Sequence, residues 1–226
     1  MTVLHLADEG EAADLAAFLS RLLHYDRGAA VRLQAAGTAL AVFGRPPSFE
    51  VLAIRAVRLA KPYENGLEVT LDVTVSAGEL LESVDESAAT AAVPAAVTGP
   101  PWAGVLPPRG GWRPEAGLPA PDALRSLVGA AVAEFRGRTE ELPSERRTRA
   151  ELDRIGREIW SRTVGDTGLP VRAVHAAQSL GFLRPAATAS GDAGLFSSGA
   201  WLRLRTPYGS IAVRRTGLGG LDLSVR

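Results

Sequence analysis

A chain of 226 residues suits one large domain or two small ones, and it holds no cysteine and only three histidines, His5, His24 and His175. Disulfides, thiolate nucleophiles, cysteine zinc sites and iron–sulfur clusters are excluded, and no two histidines stand at metal-ligand spacing. The formal charge is zero, but residues 1–113 hold 9 Lys+Arg against 13 Asp+Glu, while residues 146–226 hold 13 against 6, so an acidic front precedes a basic back.

The start "MTVLHLADEGEAADL" lacks a basic stretch followed by an apolar run, and no apolar stretch approaches the roughly 18 residues of a membrane span. A cytoplasmic protein without membrane contact is expected. Residues 2–7 read as a short strand. Asp8 and Glu11 then stand at capping-box spacing, and Ala12, Leu15, Ala16, Leu19, Leu22 and Leu23 follow at helical spacing up to Gly28. Residues 30–35 and 39–44 flank Gly37 as a hairpin. Residues 48–60 and 67–77 read as strands, the second with strict alternation of apolar and polar side chains. Ser76 and Glu79 can cap a short helix over 79–85.

An Ala-rich run then leads into residues 94–121, where 8 of 28 positions are proline and 5 are glycine. Such a stretch is expected to be an extended connection between units. Its centre, "PPWAGVLPPRGGWRP", carries Trp102 and Trp112. An indole left in water forgoes about 150–250 Å² of burial, so both rings are expected to anchor the connection, with an exposed ligand for an aromatic-lined groove as the alternative.

Helical spacing returns at Asp122, with Leu124, Leu127, Val128, Ala131, Val132 and Phe135 on one face. Thr148 and Glu151 mark a second helix, and Pro170 and Gly181 bracket a third. "AWLRLRTPYGSIAVRR" reads as a hairpin, with a last strand at 221–225. The predicted fold is α+β. A small antiparallel sheet backed by a helix occupies residues 1–85, a Pro/Gly-rich connection 86–121, and a helical unit ending in a β-hairpin 122–226. The hairpins at 31–42 and 202–213 echo one another faintly in sequence.

No G-x-S-x-G, S-x-x-K or H-E-x-x-H pattern occurs, and "GDTGLP", "SGDAG" and "GLGG" lack the Lys-Ser/Thr ending of a phosphate loop. Neither a metal nor a cofactor is expected, and catalysis is disfavoured. His24 ends the first helix, where a cationic side chain suits the dipole.

The order helix, helix, hairpin over residues 122–216 resembles a winged helix-turn-helix module. That resemblance implies a reading helix at 170–180 presenting Arg172, His175, Gln178 and Ser179, and a wing carrying Arg203, Arg205 and Arg214, all placed to meet nucleic acid. The Pro-Pro-Arg and Gly-Trp connection between a sheet-bearing front and an Arg-rich helical back also resembles a family from GC-rich bacteria that has no assigned activity. The leading expectation is a non-enzymatic protein-interaction or regulatory protein. A DNA-associated regulator and an enzyme with a site between the units are the alternatives.

Overall fold

A computed structural model describes residues 2–60, 71–185 and 193–215. The expected strand at 221–225 and the "GLGG" turn lie outside the described residues. The fold is α+β. In chain order, β1 (Val3–His5) leads to α1 (Glu9–Tyr25), whose N-cap Asp8 accepts from the Glu11 backbone N–H at 2.8 Å. β2 (Ala30–Ala36), β3 (Ala39–Gly44), β4 (Leu52–Arg58) and β5 (Leu71–Ser76) follow, and α2 (Ala77–Glu82) starts under a Ser76 cap. Next come β6 (Val84–Asp85), β7 (Thr90–Ala92), a 3-10 turn (Pro101–Gly104) and β8 (Arg113–Glu115). The remainder is α3 (Pro121–Glu140), α4 (Arg149–Trp160) under its Thr148 cap, α5 (Val171–Ser179), β9 (Gly194–Ser198), β10 (Trp201–Thr206) and β11 (Gly209–Arg214).

Two sheets are built from these strands. β1, β7 and β6 make a small one, and the other eight run β5-β2-β3-β4-β11-β10-β9-β8, antiparallel throughout. The front and back of the chain therefore share one sheet instead of each keeping its own. The expected connection is itself structured: its start pairs with β1 through β7, and its end supplies the edge strand β8. These strands are two to five residues long or contain Pro114, too short to print a period of two on the sequence. The long strand expected from residue 48 begins only at Leu52. Pro46 and Pro47 cannot donate to a ladder, and Ser48 (φ 72°) and Glu50 (φ 53°) turn the chain through the left-handed region.

One face of the eight-stranded sheet is dry. Val31, Leu33, Leu40, Val42, Leu202, Leu204 and Ile211 project into it and are fully buried. α1 packs on β4 and α5 on β11, and α3 and α4 lie behind α5. Phe18 of α1 stacks on Phe182, just beyond α5, with ring centroids 5.7 Å apart, which joins the two helical layers. At Gly209 a Cβ would stand 2.6 Å from the Phe182 ring, so the β10–β11 turn approaches closely only because that position has no side chain. Each fully buried leucine of this core contributes about 1.5–3 kcal/mol.

Among the described residues, Arg55 is the one cationic side chain buried in the core. Arg55, on the dry face of β4, donates to Glu11 Oε2 at 2.9 Å and to the Tyr208 carbonyl at 2.8 Å, with Asp14 Oδ2 at 3.2 Å. Its side chain is only 7% exposed and that of Glu11 11%. Without Glu11 the buried Arg55 guanidinium keeps Asp14 but loses its closest carboxylate in a medium that solvates charge poorly. Glu11→Ala is expected to lower unfolding free energy by about 3 kcal/mol, and the double variant Glu11→Leu/Arg55→Met to recover most of it. Urea titrations of the three proteins check this; equal loss in single and double variants contradicts it.

Candidate binding cleft

The ladder between β4 and β11 has three pairs, Ser210 with Ile54, Ile211 with Ala53, and Ala212 with Leu52. β11 runs on beside β10 to Arg214, but β4 has no residue left to pair with it. The two strands part, and the fork opens a cleft of about 480 Å³. Val51 and Leu52 form one wall, and Ala212 to Arg215 form the other. Arg172, from the first turn of α5, lines the cleft from beneath the sheet.

The Pro/Gly segment supplies the roof. It leaves the β5 edge, where the Val97 N–H donates to the Thr74 carbonyl, and Arg32 Nη1 donates to the Ala103 carbonyl at 3.1 Å. Arg32 also donates to Asp72 at 2.8 Å and holds that carboxyl below the usual range. Trp102 is half-buried against Phe43, Leu52, Ile54 and Ala212 on the outer face of the sheet, beside Trp201. Trp112 is half-buried too. Its Nε1 donates to the Pro108 carbonyl at 3.0 Å, and the Arg203 guanidinium sits 5.7 Å from its ring centre. Between the two indoles the segment covers a second recess of about 290 Å³, lined by Phe43, Pro107, Pro108 and Arg203. A third, of about 450 Å³, shares Arg45 and Trp102 with the cleft.

The lining of the cleft combines apolar side chains with four arginines. Trp102, Trp201, Val105 and Val51 give the apolar surface; Arg45, Arg172, Arg214 and Arg215 give the charge. Val105 is 45% exposed, one of four large apolar side chains left open among the described residues. Arg214 lies 5.2 Å over the Trp201 ring, and Arg215 is paired with Glu115 at 2.7 Å. Glu50 is the one acidic side chain in the lining, 3.8 Å from Arg172.

The residues implied by the winged-helix resemblance are dispersed by this fold. β10 and β11 are flanked by β9 and β4, so their hairpin does not project as a wing. α5 buries Val171, Ala173, Val174, Ala176 and Ala177. Arg172 and Arg214 meet in the cleft, whereas Arg203 belongs to the second recess and burial pushes its guanidinium pKa down. Arg205 and Gln178 are exposed and Ser179 is half-buried. His175 lies in a run of aromatic contacts: Trp160 stacks on it at 4.6 Å, Phe49 meets it edge-on at 5.1 Å, and Tyr25 meets Phe49 at 5.4 Å. Arg45, Glu50, Val51 and Arg215 complete the cleft without a local sequence signal. Among the described residues, no group of three or more His, Asp or Glu could hold a metal ion, and no helix is long and apolar enough to cross a membrane.

Burial holds the His175 pKa below its ordinary 6.5, because the imidazolium is poorly solvated between Trp160 and Phe49. The unfolded chain then takes up a proton at higher pH than the fold does. Stability from this group is complete above about pH 6.5 and is lost as pH falls toward the folded value. The thermal midpoint of the protein is expected to drop between pH 7.5 and 5.5, and His175→Gln to flatten that slope whatever its effect on the midpoint itself. An unchanged slope contradicts the assignment.

Residues 1–104 match the family model of a domain of unknown function, DUF8010, and residues 107–218 match that of a second, DUF8185. No curated protein matches the sequence. Two crystal structures of the DNA polymerase sliding clamp from Pseudomonas aeruginosa are similar in fold. One aligns over 98% of this chain at 13% identity with a TM-score of 0.50, and the other, with ligand, over 95% at 13% identity with a TM-score of 0.49. This chain spans 66% of the length of each clamp chain. At that identity the likeness to the first of these is one of fold, and it agrees with the α+β architecture.

Proposed function

We propose that the protein is a non-enzymatic interaction protein that docks a protein partner in the Trp102–Trp201 cleft. The observation that carries this reading is the cleft's composition: indole and valine surface left open on the sheet's outer face, together with four arginines. Buried aromatic anchors inside a charged rim are the usual make-up of a protein-binding hot spot. Placing the photo-crosslinking residue p-benzoylphenylalanine at Val105, in cells that natively make the protein, is expected to give discrete protein adducts. The same residue at Ala130, exposed on α3 away from the cleft, is expected to give none. Matching adducts from both positions, or none from Val105, would defeat the reading.

A second reading, association with DNA, is supported by the fold shared with a DNA polymerase sliding clamp and by the arginine excess after residue 146. Binding that is electrostatic weakens steeply as salt rises. The full chain is expected to bind duplex DNA at about 50 mM salt and to release it by about 200 mM. No binding at the lower concentration, or binding indifferent to salt, removes this reading.

A further inference from the structure

Arg172 is incompletely satisfied where it stands. Its side chain is 19% exposed, and its Nε is buried with no hydrogen-bond partner among the described residues. A buried guanidinium N–H without an acceptor is costly, and structures ordinarily supply one. The nearest carboxylate, Glu50 Oε2, stays at 3.8 Å, too far for a hydrogen bond. Glu50 reaches even that distance from a backbone with φ of 53°, in the left-handed region that non-glycine residues adopt only under strain. Its own side chain is 73% exposed, so little else holds it there.

Glu50 thus sits as a loosely held acid over an unsatisfied cation. On the opposite wall, Arg214 adds a second positive charge next to the Trp201 ring, and Arg45 a third at the Trp102 end. These charges share one lining with indole and valine surface, so an occupant that uses both carries an aromatic or large aliphatic group together with carboxylates.

We infer that the cleft binds an acidic peptide segment carrying one apolar anchor side chain, and that one of its carboxylates displaces Glu50 from Arg172. This inference rests on the proposed protein-docking role and names the chemistry of the partner. The anchor enters between Trp102 and Trp201. The flanking carboxylates pair with Arg172 and Arg214, where charge-assisted hydrogen bonds are about twice as strong as neutral ones. Glu50 then acts as an internal competitor that screens the site until such a segment arrives.

The test uses the full chain and two synthetic probes, acetyl-Glu-Asp-Phe-Asp-Glu-amide and its neutral counterpart acetyl-Gln-Asn-Phe-Asn-Gln-amide, titrated by calorimetry. The acidic peptide is expected to bind about tenfold tighter than the neutral one. Glu50→Gln is expected to tighten the acidic peptide about threefold and leave the neutral one unchanged. Arg172→Gln is expected to abolish the preference, and Arg214→Gln, at an exposed position, to reduce it without risk to folding. Equal affinity for the two peptides, no binding of either, or no gain from Glu50→Gln overturns the inference. So does displacement of the acidic peptide by a twelve-nucleotide oligothymidylate that binds more tightly. Adducts formed at Val105 while the two peptides bind equally would leave the docking role standing and remove only the acidic partner.

Discussion

Three residue pairs between β4 and β11 decide the shape of this molecule. Because they exist, strands from the front and back of the chain continue one another, and a single dry face can be covered by helices from both. Because there are only three, the strands part beyond Leu52 and Ala212 and leave a fork that backbone pairing does not fill. Arg55 sits on the dry side of that short ladder and ties α1 to the turn between β10 and β11, where its carbonyl partner Tyr208 stands 153 positions further along the chain than Arg55 itself. The seam is thus fastened by one buried guanidinium beside a ladder of only three pairs. Buried ion pairs of this kind contribute little net energy but penalise any arrangement that separates the partners. At the seam, that penalty favours one register of the two halves over the alternatives.

The segment over the fork has a complementary part. Proline limits its backbone freedom before folding, so holding it on the sheet costs less conformational entropy than a flexible loop of the same length would. Arg32 and the Thr74 carbonyl fix its start, the two indoles its middle, and β8 its end. The turn at residues 45–50 is the opposite case. It keeps two non-glycine residues in the left-handed region, with Phe49 pressed between Tyr25 and His175. Packing of the Phe49 ring compensates for the strain beside it and holds Arg45 and Glu50 at the cleft's edge.

Local chemistry was legible in the sequence and long-range pairing was not. Asp8, Ser76 and Thr148 each cap a helix, since a cap depends on residues three positions apart, although the helix under Ser76 runs over Ala77–Glu82 and not the expected 79–85, whose end is the strand β6. The alternation before Ser76 and the hairpin around Gly37 reflect the same short reach. The strands β6 to β9 were missed because they are held by their neighbours, not by a pattern of their own. The winged-helix resemblance followed the order of elements correctly but could not see that β4 would take the open side of β11 and turn an apparent wing into the middle of a sheet. For the same reason Arg172 and Arg214 were singled out, yet the partners that make them a site, Glu50 and Trp102, stand more than a hundred residues away from one or both of them.

The boundary between the two matched domain families falls at residues 104–107, inside the covering segment. Arg45, Glu50 and Trp102 lie before it; Arg172, Trp201 and Arg214 lie after it. Neither module owns the cavity. Each carries half of a mould, and a gene that kept one half would encode a surface with no recess. The recess is thus a feature of the joined chain, one that neither half of the sequence would disclose on its own.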